Sequence, residues 1–161
     1  MWIIDFEASG LDIKSYPIEV GITNGEIEYS ALIKPLPDWQ FWSATAEAKH
    51  GIALDHLQQQ GNEAVQVCQD LNALLEGQDV YCDYLAWDNF WLSRLFKCCR
   101  VSHQFNLKEI SDLLATPASI ERYLQIRQTL ITTDNFQLHR GLDDAKLIYS
   151  ALQQTMQNES L

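Results

Sequence analysis

Two runs of mostly apolar residues, 18–23 and 27–34, flank Asn24-Gly25. Asn-Gly between such runs is the strongest short hairpin signal a sequence carries, because both residues accept the positive φ that a tight turn needs. An early hairpin fixes an antiparallel strand pair, and the rest of the chain must build around it. Residues 2–6 form a short apolar run that ends in acidic residues and Ser9-Gly10, and read as a strand. Pro35, Pro37 and Asp38 open a loop, followed by short helices expected at 43–49 and 54–60. Residues 62–76 place apolar side chains at 65, 67, 68, 71, 74 and 75, a helical period closed by Gly77. Beyond it, 80–84 and 104–107 read as strands, and 88–99, 108–114, 120–130 and 142–157 as helices. A hairpin followed by alternating strands and helices predicts an α/β fold with one mixed sheet flanked by helices. At 161 residues, a single domain over 1–161 is expected, large enough for a real core.

Composition excludes several classes. Hydrophobic residues make up 47% and charged residues 20%, too apolar for a disordered chain. The opening Met1-Trp2-Ile3-Ile4-Asp5 lacks the basic region and long apolar stretch of a signal peptide, and no segment has the length of a membrane span. Cys68, Cys82, Cys98 and Cys99 have no zinc-ligand spacing, so reduced thiols in a cytoplasmic protein are expected. The net charge of −11 argues against a broad basic groove for long duplexes. Residues 1–93 hold three Lys/Arg against fifteen Asp/Glu, whereas 94–161 hold eight against seven. This pattern favours a substrate gripped at one end, by a few nucleotides.

Chemistry concentrates in a few residues. Side chains alternate across a strand, so Asp5 and Glu7 share one face while Phe6 points to the other, and the pair makes a clamp for a cation. An isolated D-x-E is more often a solvated strand end. Asp88 follows the strand at 80–84 and opens a helix, where alone it reads as an N-cap. Asp83 is a rival carboxylate inside that strand. His139 and Asp144 lie five residues apart, about 140° around a regular helix, and could not face one site from it. Gly141 resolves this if His139 sits in a loop and the helix begins near Leu142. Asp143 and Asp144 would otherwise be ordinary acidic residues at a helix N-terminus. Clustered carboxylates repel one another, divalent cations relieve that repulsion, and a histidine beside them is a ready general base.

These residues resemble the motifs of the DEDDh exonucleases, the family of polymerase proofreading subunits, oligoribonuclease and ribonuclease T. Asp5-Phe6-Glu7-Ala8-Ser9-Gly10-Leu11 resembles its first motif, Asp88 before Asn89-Phe90-Trp91-Leu92 its second, and His139 with Asp144-Ala145 its third. His50-Gly51-Ile52 is similar to a segment often found between the first two. The likeness runs from about residue 2 to about 150. Two positions depart from it: Ser9-Gly10 stands where Thr-Gly is common, and Cys82-Asp83-Tyr84 lacks the His-Asn pair usual before the second motif's aspartate. The resemblance implies a ribonuclease H-like fold, a mixed five-stranded sheet whose first three strands are antiparallel. It implies Asp5, Glu7, Asp88 and Asp144 as ligands of two Mg²⁺ or Mn²⁺ ions and as catalytic residues, with His139 as general base. Phe6, Ser9, Gly10 and Leu11, with His50 and Ile52 opposite, are the substrate contacts it implies. The activity implied is 3′–5′ cleavage of single-stranded RNA or DNA from the 3′ end, releasing nucleoside 5′-monophosphates. Homodimers are common among small members. Hydrolysis of dinucleotides or other small phosphodiesters, and non-catalytic binding on the same fold, are the competing readings. Trp39 and Trp42 are candidates for base stacking, and Arg94, Lys97, Arg100 and Lys108 for phosphate tracking; packing and solvated helix faces are the plainer expectations for them.

Overall fold

The computed structural model describes residues 1–134 and 136–159, with side chains through residue 157. Five strands and six helices follow one another as β1 (Trp2–Ala8), β2 (Pro17–Thr23), β3 (Glu28–Leu32), α1 (Ala44–His50), α2 (Leu54–Gln60), α3 (Ala64–Leu75), β4 (Asp79–Cys82), α4 (Leu85–Cys98), β5 (Asn106–Glu109), α5 (Pro117–Thr133) and α6 (Gly141–Glu159). The strands form one sheet in the order β3-β2-β1-β4-β5. The β1–β2 and β2–β3 pairs are antiparallel, and the β1–β4 and β4–β5 pairs are parallel. The expected α/β architecture, with five strands of which the first three are antiparallel, is therefore the architecture found.

Alternation along β1 divides the molecule. Trp2, Ile4, Phe6 and Ala8 enter one core together with Leu71 and Leu75 of α3 and Leu92, Leu95 and Phe96 of α4. Ile3 faces the other way, into a core built with Ala145, Leu147, Ile148, Ala151 and Leu152 of α6 and Tyr123 and Leu130 of α5. Each face buries its apolar stripe, at about 25 cal/mol per Å² of apolar surface removed from water. Asp5 and Glu7 continue the Ile3 face toward the end of β1, where the apolar cover stops.

The hairpin forms with a wider turn than a two-residue loop. Residues 24–27 connect β2 to β3, and Asn24 Oδ1 accepts from the amides of Glu26 at 3.0 Å and Ile27 at 2.7 Å. Gly25 carries a φ of 91°, which an L side chain rarely adopts. Three boundaries also differ from the sequence reading. β4 stops at Cys82, so Asp83 lies past its end rather than within it. α4 begins at Leu85, and its N-cap is Tyr84, whose carbonyl accepts from the amides of Trp87 and Asp88 at 3.1 Å. Asp88 thus projects from the first turn and is not the cap. Residues 106–109 are spent on the ladder with β4, through the pairing of Cys82 with Glu109. Only Ile110–Leu113 remains to form a short 3-10 turn in place of the helix expected over 108–114. Among the described residues no helix is long and apolar enough to cross a membrane. All four cysteines are unpaired.

Candidate active site

The two parallel strands separate almost at once: β1 and β4 pair only at Trp2–Val80 and Ile3–Tyr81. Beyond that point the ends of β1 and β4 border a cleft of about 690 Å³ whose walls come from α1, α4, α5 and the start of α6. Asp5, Glu7, Asp88, His139 and Asp144 all line it.

Each arrives by a separate device. Asp5 and Glu7 occupy one face of β1 and pair across to Gly21 and Glu19 of β2. Asp88 is buried in the first turn of α4. Asp144 stands in the first turn of α6, and the way that helix begins decides where it points. Glu19, 1% exposed inside an otherwise apolar strand, accepts from the Gly141 amide at 2.9 Å and from Arg140 through a fork, with contacts of 2.7–3.2 Å. A carboxylate thereby caps α6 from the neighbouring strand. Close packing completes the docking, since a Cβ on Gly21 would overlap the backbone of Gly141 and Leu142. His139 precedes this turn in an exposed loop, with a φ of 63°, and its amide donates to Asp144 Oδ2 at 2.8 Å. The left-handed conformation at His139, unfavourable for a residue with a Cβ, is held by that bond and by the anchored helix start.

One ligand atom from each of Glu7, His139 and Asp144 lies within 4.8 Å of the other two. Asp5 and Asp88 are close enough for their charges to interact with one another and with that group. Burial, then the neighbouring carboxylates, pushes Asp5 well above the usual carboxylate range. The same two causes bring Glu7 to about 8. Asp88 rises to about 7, first through burial and then through Asp83, although the Cys82 thiol and the amides of Tyr84 and Phe6 favour its charged form. Asp144 rises by burial, opposed by the His139 amide. Hard oxygen donors held close together and destabilised as anions fit divalent cations of the magnesium type.

The substrate contacts implied by sequence divide into two groups. Gly10, Leu11 and His50 border the cleft, and Leu11 is 71% exposed there. His50 Nδ1 accepts from the Ile52 amide at 3.0 Å, which leaves the proton of the neutral ring on Nε2, a buried atom with no partner. Burial lowers its pKa and keeps it neutral. Ser9 and Ile52, in contrast, do not line the cleft. Ser9 is fully buried: its Oγ accepts from the Tyr16 amide, its own amide donates to the Tyr16 carbonyl, and its carbonyl accepts from Ser43. It ties the loop after β1 to the start of α1. Ile52 packs in the core. Phe6 borders the cleft, but its ring belongs to the core on the opposite face of β1.

None of the other aromatic and basic candidates lines the cleft, and four of them make contacts within the fold. Trp39 stacks on Tyr16 with centroids 5.1 Å apart, and Trp42 donates to Glu47. Arg94 donates to the carbonyls of Ile13 and Ser15, and Lys108 pairs with Asp79. Sequence reasoning missed the aromatic wall of α4, where exposed Tyr84, half-buried Trp87 and buried Trp91 line the cleft and the two indoles stack at 5.3 Å. Their spacing of three and four residues was the available signal. It also missed Glu19, a lone acid inside an apolar strand, and Arg127 of α5, which enters the cleft from a helix with no motif.

Comparison with solved structures places this fold beside exonuclease I. The chain superimposes on E. coli exonuclease I in complex with a dA16 oligonucleotide with a TM-score of 0.76 at 12% identity, covering 98% of this chain and 41% of that one. The zinc-bound form of the E. coli exonuclease I–ssDNA complex gives 0.75 at 13% identity, covering 98% and 40%. The enzyme from Methylocaldum szegediense gives 0.71 at 13% identity, covering 98% and 41%. The chain therefore spans about two fifths of the length of these structures, and at such identity the likeness is one of fold. No protein-family model matches the sequence, and no curated protein matches it.

Proposed function

We propose that this protein is a metal-dependent 3′–5′ exonuclease of the DEDDh type on a ribonuclease H-like fold, acting on single-stranded nucleic acid and releasing nucleoside 5′-monophosphates. The observation that carries the reading is the convergence of Asp5, Glu7, Asp88, His139 and Asp144, from four separate elements and loops, on one cleft. Exonuclease I structures with bound single-stranded DNA share the fold, which makes DNA the first polymer to test beside RNA.

Asp5, Glu7, Asp88 and Asp144 would hold two Mg²⁺ or Mn²⁺ ions, which would supply charge stabilisation for the attacking and leaving oxygens of an in-line displacement. His139 lies at the open rim, within 4.8 Å of Glu7 and Asp144 by their ligand atoms, and takes the proton of the attacking water. The bond from water oxygen to phosphorus forms, the bond from phosphorus to the 3′-oxygen breaks, and that oxygen leaves to take up a proton. Gly10 and Leu11 offer a small and an apolar surface to the terminal nucleotide, and neutral His50 offers an Nε2–H donor. Tyr84 and the outer face of Trp87 give unpaired bases surfaces to stack on, each worth about 1–3 kcal/mol per base, and Trp91 backs Trp87 from the core.

A second reading, hydrolysis of dinucleotides, is favoured by the net charge of −11, which penalises long polyanions. Substrate length separates the two. Turnover that rises from dinucleotide to a ten-nucleotide strand supports the exonuclease, and turnover confined to the dinucleotide supports the alternative.

A further inference from the structure

Arg127 is a cation among carboxylates that pairs with none of them. It projects from α5 into the cleft beside Asp83, His139 and Asp144. Burial raises the pKa values of both aspartates, and the Arg127 charge opposes that rise in each. Among the described residues, however, it forms no ion pair, and its Nε is buried without a hydrogen-bond partner. The buried Tyr123 hydroxyl, one turn earlier on α5, lies near the guanidinium but also lacks a well-formed hydrogen bond. Arg127 and Asp83 together also border an adjoining pocket of about 300 Å³ walled largely by Ile110, Leu114, Ile120 and Leu124. A guanidinium kept beside apolar walls, with no ion pair and an unpartnered Nε–H, is suited to an acceptor from outside the protein.

Charge counting identifies the acceptor. Asp83 adds a fifth carboxylate to the four proposed metal ligands. Two divalent ions would leave that set with one negative charge in excess, an unfavourable setting for an anionic phosphodiester. Arg127 removes the excess. We propose that Arg127 binds a non-bridging oxygen pair of the substrate phosphate and retains the 5′-phosphate of the product. This rests on the exonuclease reading for the identity of the phosphate, but not for its binding. A planar fork suits a phosphate in a way that a lysine's point charge does not.

Calorimetry with Ca²⁺ in place of the catalytic ion tests the proposal, using a nucleoside 5′-monophosphate and the matching nucleoside as probes. Wild type should prefer the monophosphate. Arg127→Ala should weaken it by roughly 10- to 100-fold while leaving nucleoside affinity unchanged, as expected for loss of a charge-assisted pair. Arg127→Lys should recover part of the loss, and Arg122→Ala, on the exposed side of α5, should match wild type. Equal monophosphate affinity in Arg127→Ala would overturn the proposal, as would equal losses for monophosphate and nucleoside, or a wild type that does not distinguish the two. A wild type that binds monophosphate through Arg127 yet cleaves no polymer would uphold this inference and sink the exonuclease reading alone.

Discussion

His139 concentrates the chemistry of the account in one side chain. It is exposed, sits on strained backbone at φ 63°, and is fixed through its own amide to Asp144. Its ring can therefore be removed with little effect on the fold. His139→Ala should keep its metal affinity, measured by calorimetry, while single-turnover cleavage slows by roughly 10²- to 10⁴-fold. Unchanged turnover across pH in that variant would remove His139 as the base. Asp83 makes the complementary case. It lies past the end of β4 and faces the cleft, but the proposed metal set is complete without it. Asp83→Ala should stay within a few-fold of wild type in a steady-state assay, and an inactive Asp83→Ala beside an active Asp88→Ala would reassign the second motif.

At the scale of elements, the site depends on where α6 begins. Glu19 caps that helix from β2 and Gly21 lets the backbones touch, so Asp144 is held over Asp5 and Glu7. Glu19→Gln loses the charge-assisted fork to Arg140 and should destabilise the protein by about 1–3 kcal/mol in urea unfolding, a range that allows for the partial exposure of Arg140. Catalysis should fall as well, because Asp144 and His139 lose their anchor. Gly21→Ala should be the worse of the two, since a side chain there meets backbone that cannot move aside.

Much of this was legible beforehand. The Asn24-Gly25 turn, the alternation along β1 and the helical period over 62–76 each specify their element by local chemistry, and the structure places them accordingly. The loop at His139 followed from helix geometry, because two residues 140° apart can share a site only if the helix has not started. What escaped were features settled by tertiary contacts. β4 ends where it parts from β1, α4 starts three residues before Asp88, and Ser9 is consumed by the Tyr16 backbone rather than offered to the cleft. The role of Glu19 shows only as an acid in an apolar strand, and Arg127 has no local signal at all. Neither can be assigned a partner until α5 and α6 are laid on the sheet.

On the scale of the whole molecule, gathered carboxylates tie stability to pH and to metal. In the metal-free fold Glu7 holds its proton up to about pH 8, whereas the unfolded chain releases it near 4.5. The folded state therefore binds more protons across that window, and Asp88, raised to about 7, adds to the difference. Stability should fall as pH rises from about 4.5 to about 8. Urea unfolding in EDTA should accordingly give a higher midpoint at pH 5.5 than at pH 8, and Glu7→Gln should flatten the dependence. Mn²⁺ or Mg²⁺ at pH 8 should restore the lost stability by binding the ionised carboxylates. A midpoint that rises with pH in EDTA would contradict the electrostatics described for the site.

The central claim is that the five converging residues make a metal-dependent exonuclease. A time course on 5′-labelled single-stranded DNA and RNA, with Mg²⁺, with Mn²⁺ and with EDTA, beside Asp5→Ala, addresses it most directly. The account predicts a ladder that shortens one nucleotide at a time from the 3′ end, requires the metal and is absent in the variant. Intact polymers under every metal condition, or cleavage that persists in EDTA or in Asp5→Ala, would contradict it.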